Sequence, residues 1–338
     1  MARKAGYRRR AHKGKDGVVF RRYRGKKDLD GIAKVMNESW RADLVDAVTS
    51  ASDIERDFRH ATTYNPRTDM TVLEADGVII GYGQISCRDQ VEGYRSYFHL
   101  AHLLPEWRGK GIRETILKKN EERLREIAAE KNDRNRPTFE SYACADGEDW
   151  QRILKSSGYK PGWHLFEMVC RDLEHIPTYP LPNGIEIRPA EPAKYKQIWD
   201  ATREAMRDEK NFIEQHWSDE AFKRYLEVPW FTPKYWQIAW EGDQVVGGVH
   251  NMIDEEENLQ LNRKWMKTEE VFVRKPWRGK GIAKALLGRS LEVVRDAGMQ
   301  AAVLDVDTDN PSGALNLYEK MGYREEKHFI FYRKPVWP

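Results

Sequence analysis

The chain can be laid over itself: landmarks recur in one order at a shift of about 165 to 170 residues. Val18-Val19-Phe20-Arg21 returns as Ile185-Glu186-Ile187-Arg188, and Asp76-Gly77-Val78-Ile79-Ile80-Gly81 as Gly242-Asp243-Gln244-Val245-Val246-Gly247. Trp107-Arg108-Gly109-Lys110-Gly111-Ile112 returns as Trp277-Arg278-Gly279-Lys280-Gly281-Ile282, and Gly158-Tyr159 as Gly322-Tyr323. Recurrence of this kind requires two copies of one plan, so the 338 residues are expected to fold as a tandem pair. The first copy is read as 18–173 and the second as 185–338, joined by a linker over 174–184 in which Pro177, Pro180 and Pro182 keep the backbone extended. Apolar periodicity gives each copy the order β–α–α–β–β–β–α–β–α–β. In the second, strands are expected near 185–188, 235–241 and 244–252, helices near 194–208 and 219–228, and a two-residue hairpin turn at Gly242-Asp243. Such an order predicts an α/β fold, a mixed sheet with helices on both faces.

Within the second copy, residues 269–283 read as a strand, a glycine-rich turn and the opening of a helix. Ile282 and Ala283 begin an apolar repeat at helical spacing, continued by Leu286, Leu287, Leu291, Val293 and Val294, and Gly298 stands at its end. Residues 278–281 therefore fall at the helix mouth, where unpaired N–H groups and the helix dipole favour an anion. Gly279 and Gly281 leave those amides uncovered, and Arg278 and Lys280 add charge. About thirty residues on, a strand over 302–306 carrying Asp305 leads to Asp309-Asn310-Pro311-Ser312-Gly313, then to a helix with Asn316-Leu317-Tyr318-Glu319-Lys320 and a stop at Gly322.

Together these two units resemble the GCN5-related N-acetyltransferase (GNAT) superfamily in a tandem, two-domain form. The first is similar to its acyl-CoA pyrophosphate motif, Arg/Gln-x-x-Gly-x-Gly/Ala, read as Arg278, Gly281 and Ala283. The second is similar to its Asn…Leu-Tyr-Glu-Lys-x-Gly-Tyr signature. The resemblance covers nearly everything after residue 17. It implies an acetyl-CoA-dependent N-acetyltransferase acting on a primary amine of a small molecule or peptide by direct attack. It also implies a cofactor site of Phe272, Val273, Arg278, Gly279, Lys280, Gly281, Ile282, Ala283 and Asn310. An attacking amine must lose a proton and a departing thiolate must gain one. Glu270 is the first candidate base, Asp305 the second and Glu269 the third, while Tyr318 is the candidate acid, its phenol being close to a thiol in pKa. Backbone N–H groups on the strand at Phe272–Val273 are the expected oxyanion donors.

The copies differ where this chemistry lies. Leu100 stands at the position of Glu270, Leu154 at that of Tyr318 and Arg113 at that of Ala283. Leucine moves no protons, so 18–173 is read as a degenerate, structural or substrate-shaping domain whose retained phosphate-like turn leaves CoA binding there open, and the second copy as the catalytic one. Two alternatives stay open: an acetyltransferase specialised for antibiotics or polyamines, drawn by the acidic run Asp254-Glu255-Glu256-Glu257, or a non-catalytic pair of CoA-binding or partner-binding modules. The resemblance implies that the segment holding Trp217, Trp230, Phe231, Tyr235 and Trp236 lines the acceptor side, with these aromatics serving as core or as a stacking surface.

The net charge of +3 hides a polarity: residues 1–27 hold 12 Lys+Arg and one acid, leaving 45 basic against 53 acidic residues beyond. The basic leader, 1–17, is expected to be disordered and solvated, and to serve as a nucleic-acid anchor only under the non-catalytic alternative. No apolar run is long enough to span a membrane. Cys87, Cys144 and Cys170 are isolated, as expected of small buried residues in a reducing cytoplasm, and neither they nor the nine His are spaced as metal ligands.

Overall fold

The structure is a computed structural model, and it describes residues 12–13, 17–89, 95–209, 212–309 and 313–337. Most of the basic leader, and Asn310, lie outside them. The first copy runs β1 (His12–Lys13), β2 (Val19–Arg22), α1 (Leu29–Ala42), α2 (Ala51–Arg59), the short α3 (Pro66–Asp69), β3 (Thr71–Ala75), β4 (Val78–Asp89), β5 (Arg95–Leu103), α4 (Ile112–Glu130), β6 (Thr138–Cys144), α5 (Glu148–Ser156) and β7 (Lys160–Cys170). The second repeats the plan: β8 (Glu186–Arg188), α6 (Tyr195–Met206), α7 (Asp219–Glu227), β9 (Gln237–Glu241), β10 (Gln244–Met252), α8 (Glu255–Gln260), β11 (Trp265–Val273), α9 (Ile282–Asp296), β12 (Ala301–Asp307), α10 (Ala314–Lys320) and β13 (Arg324–Pro335). The expected turn at Gly242-Asp243 joins β9 to β10, with Gly242 at a φ of 55°.

All the strands join one mixed sheet of order β1-β2-β3-β4-β5-β6-β13-β7-β12-β11-β10-β9-β8. Only β5/β6 and β11/β12 are parallel. At the centre the copies exchange their last strands. β13 pairs with β6 from Phe329↔Cys144 to Pro335↔Thr138, while β7 pairs with β12 from Ala302↔Cys170 to Asp307↔Leu165. Burial follows the exchange: Tyr332 and Val336 pack into the first copy's core, and Met168, Cys170 and Leu173 into the second's. Lys334 reaches Glu121 at 2.8 Å, and Glu121 also accepts from the Tyr159 hydroxyl at 3.0 Å, so β13 completes a buried polar network of the first copy.

Residues 254–257 are not the solvated loop their charge suggests. The Asp254 side chain accepts from the Glu257 N–H at 2.9 Å and caps α8. Glu257 is buried and holds Arg263 and Lys267 at 2.7 and 2.8 Å, which removes it as bait for a polyamine. All three cysteines are free and buried. Of the aromatics expected on the acceptor side, Trp236 is core and stacks on His250 at 4.1 Å between centroids. Among the described residues no helix is long and apolar enough to cross a membrane.

Candidate active site

β11 and β12 run together only from Trp265↔Ala301 to Lys267↔Val303 and then part. The parting coincides with a bulge, because the register against β10 slips between Gly248↔Phe272 and His250↔Glu269, setting Glu270 and Val271 opposite Val249 alone. Glu270 takes a φ of 39°, a left-handed conformation rare for a side chain of its size. A bulge bends its strand and re-aims a side chain, at a cost of about 1–3 kcal/mol for a residue so strained. Beyond Lys267, the edge of β11 that faces β12 is left without a strand partner.

The mouth of α9 opens onto this wedge. Gly279 and Gly281 have φ of 77° and 83°, and a Cβ on either would meet nothing within 4 Å, so the amides of the turn lie against open space. A diphosphate fits such a cradle: the first-turn N–H groups supply donors and the dipole supplies charge. The side chains of the turn do less than their charge promises. Arg278 donates to the carbonyls of Val273 and Ala205, each at 2.9 Å, and to Asp208 at 2.6 Å, so its guanidinium straps the turn to the end of α6. Lys280 is exposed and does not line the cleft; Lys284, one turn into α9, does. Ile282 is buried in the core beside Leu286, leaving its backbone to face a ligand.

The wedge is a cleft of about 810 Å³, and it brings together Glu269, Glu270, Phe272, Val273, Asp305 and Tyr318 with Arg278, Gly279, Gly281 and Ala283 of the turn. Met206, Asp208 and Glu209 at the end of α6 complete one wall. Sequence reading missed these, because nothing in the local pattern places that helix end beside a turn seventy residues away. Burial, then the neighbouring charges of Glu269 and Glu209, push the Glu270 carboxyl up to about 8. Asp305 is exposed along an edge of the cleft, and desolvation by the surrounding protein, then Glu269 and Glu167, raise it to about 7. Glu269 is raised by burial as well. The Tyr318 phenol is buried and pushed well up, by burial and by Glu209 and Glu270, so it keeps its proton.

The equivalent wedge of the first copy is closed. Arg113 donates from Nε to the Ala101 carbonyl at 2.8 Å, pairs with Asp43 and with Asp149 at 3.0 Å, and lies 4.6 Å from the Trp150 ring. Ala283 and Ala314 hold the positions of Arg113 and Trp150 in the second copy, and the space left in the first is about 20 Å³. Its motif arginine is a strap too: Arg108 bonds Asp43 at 2.9 Å and the Ser39 carbonyl at 3.1 Å. Whether this copy takes CoA is open from its retained turn alone; with Arg113 and Trp150 in place, its wedge leaves little room for one.

A splayed parallel strand pair beside a glycine-opened helix mouth is the layout of an acyltransferase, and the chain carries that layout twice, open in the second copy and filled in the first. The profile of the acetyltransferase (GNAT) family matches residues 32–142 and 198–323. The chain belongs to that family. A mycothiol acetyltransferase of Geodermatophilus obscurus is 26% identical over 319 residues, covering 91% of this chain and 95% of the relative. Another, from Streptomyces griseus subsp. griseus, is 26% identical over 269 residues, 78% of each chain. A GCN5-related N-acetyltransferase structure from Sphaerobacter thermophilus superposes with a TM-score of 0.68 at 24% identity over 96% of this chain and 97% of that one. A tandem GNAT protein from the clavulanic acid biosynthesis pathway gives 0.67 at 12% identity over 95% and 99%. At these identities the structures speak for the fold.

Proposed function

We propose that the protein transfers an acetyl group from acetyl-CoA to a primary amine of a small molecule, at the second copy's cleft alone. The observation that carries this reading is that one of two equivalent wedges is open and lined by acids and a phenol, while the other is filled by Arg113 and Trp150. Acetyl-CoA supplies an activated thioester. The amides at the mouth of α9 hold its diphosphate, and the unpaired edge of β11 aligns the arm behind it. Glu270 takes the proton of the incoming ammonium, directly or through one water; a carboxyl near 8 suits that task at physiological pH. Tyr318 gives its proton to the leaving sulfur, for which a phenol held protonated by burial is suited. Glu269 raises Glu270, and with Asp305 it gives the wedge an acidic lining that attracts a cationic amine. The relatives named mycothiol acetyltransferase support a small-molecule amine as acceptor.

A CoA-release assay across amine classes tests this. Glu270→Gln and Tyr318→Phe should each lower kcat by about 10²-fold or more while the calorimetric affinity for CoA stays within about threefold. Full turnover in both variants would remove the proposed chemistry from this cleft.

A further inference from the structure

α7 carries Tyr225 to the wall of a cavity of about 540 Å³, and Glu270 lines the same cavity. The Tyr225 ring is held among Trp199, Phe231 and Trp236, at centroid distances of 5.2, 5.4 and 6.0 Å, which fixes where its hydroxyl can lie. That hydroxyl is 3.3 Å from Nδ1 of His250. His250 belongs to the bulge: it stands opposite Glu269 in the register of β10 and β11, one residue beyond the Val249 that faces Glu270 and Val271. Trp236 stacks on the imidazole at 4.1 Å and Phe272 meets it edge-on at 5.8 Å. The strand distortion that re-aims Glu270 therefore also sets the group that holds Tyr225.

Burial pushes the His250 imidazole down to about 3, so the ring is neutral, with a hydrogen on one nitrogen and a lone pair on the other. His250 is only 1% exposed, and among the described residues its Nε2 has no hydrogen-bond partner. A buried N–H without an acceptor is costlier than a bare lone pair, so the network assigns the hydrogen to Nδ1. Nδ1–H then donates to the Tyr225 oxygen, and the hydroxyl turns its own hydrogen elsewhere. Among the described residues the one acceptor within its reach is a weak one, the Met252 Sδ at 3.9 Å. Burial, then the charges of Glu270 and Glu269, push the Tyr225 phenol well up, so it keeps that hydrogen beside both acids.

We infer that Tyr225 is a positioning residue: held by His250, its hydroxyl fixes the water through which the incoming ammonium passes its proton to Glu270. The inference rests on the reading above, in which Glu270 is the base, and it selects the water-borne route over direct transfer. The water accepts from the Tyr225 O–H with one lone pair. An ammonium N–H bond breaks toward the other lone pair as one of the water's O–H bonds breaks toward the Glu270 carboxylate. The water is regenerated, the amine is left neutral, Glu270 is protonated, and Tyr225 keeps its hydrogen throughout. A fixed hydroxyl and a carboxylate on one cavity wall give such a water the polar partners it needs. From the catalytic cleft, Glu270 also faces Glu269, Glu209 and Tyr318. The other charges on the cavity wall, Arg224 with Asp57 at 3.5 Å and Arg56 with Asp53 at 2.7 Å, are paired with one another.

The test compares the full-length parent with Tyr225→Phe, His250→Leu and His250→Asn, the last carrying an amide donor in place of Nδ1–H. In the protein without substrates, the Glu270 carboxyl band is the one lost from difference infrared spectra in Glu270→Gln. It should titrate near 8 in the parent and at a pH higher by about 0.5 or more in Tyr225→Phe, where the carboxylate loses the donor behind its water. Turnover is read with acetyl-CoA at saturation and the fastest acceptor among n-hexylamine, 2-phenylethylamine and 1,4-diaminobutane. At pH 7, kcat should fall about tenfold or more in Tyr225→Phe while calorimetric affinity for CoA stays within about threefold. His250→Leu should reproduce both effects, and His250→Asn should recover most of the rate. A Glu270 carboxyl that titrates at the parent's pH in Tyr225→Phe overturns the inference whatever the rate does, because it marks the hydroxyl as structural. An unchanged kcat, or a His250→Asn no better than His250→Leu, overturns it as well. If Glu270→Gln still abolishes turnover in that event, the catalytic reading stands; if turnover survives Glu270→Gln, that reading falls first.

Discussion

Glu270 is held where its backbone is least comfortable, at a φ of 39° on a bulge, among Glu269 and Glu209. The strain and the raised carboxyl share one origin, the opening of β11 away from β12, which takes the side chain out of the sheet and into the wedge. Because the carboxyl is raised to about 8, the carboxylate proposed as the base accumulates as pH rises through that value. The pH profile of kcat/KM for the amine should therefore climb through a limb near 8, a limb absent from the residual rate of Glu270→Gln. The same shift has a sign for stability. The folded state binds more protons than the unfolded between about 4.3 and 8, so this carboxyl lowers stability as pH rises across that window. Glu270→Gln should thus be more stable than the parent at pH 8 in thermal melts, with little difference at pH 4. The acids and Tyr318 were legible in the sequence, because a strand, a turn and a helix signature locate them without long-range contacts. The work of Arg278 was not. Its charge suggested phosphate, and only the fold reveals Asp208 and two carbonyls already in its grasp.

At the level of elements, α9 and its counterpart α4 are opened by near-identical turns, yet one faces a cleft and the other a plug. The difference lies in two side chains, Arg113 and Trp150 against Ala283 and Ala314. Moving the plug should move the property. Ala283→Arg, on a helix that tolerates arginine well, should cost at least about tenfold in CoA affinity by calorimetry and a similar factor in kcat/KM for acetyl-CoA. Unaltered CoA binding in that variant would mean the cofactor lies elsewhere. The sequence announced this contrast at Arg113, although not its completion by Trp150 and the two aspartates. The order of the longer elements was legible, since periods of 3.6 and 2 switch cleanly between turn residues. The bulge and α8 were not: one depends on a register against β10, and the other on Asp254 capping a charged run that reads as loop.

Across the whole molecule the repeat foretold two copies but not their entanglement. A sequence aligned with itself says which segments are equivalent, not which copy's core receives each one; both choices bury the same apolar faces. The exchange of β7 and β13 makes each sheet half depend on the other copy's strand, so the chain should unfold as one unit. Urea unfolding should show a single transition by far-UV dichroism and by tryptophan fluorescence. Tyr332→Ala, which empties a fully buried site in the first copy's core and frees Gln151 of a 2.8 Å bond, should lower stability by about 3–5 kcal/mol without splitting that transition. Separate melting of the two copies would show the exchange to be incidental. One closed wedge and one open one also fix how many acyl donors the chain can hold. Calorimetric titration of CoA into the full-length protein should give a stoichiometry of one per chain, abolished by Ala283→Arg. Two sites, or one that survives that substitution, would contradict the assignment of the chemistry to the second copy.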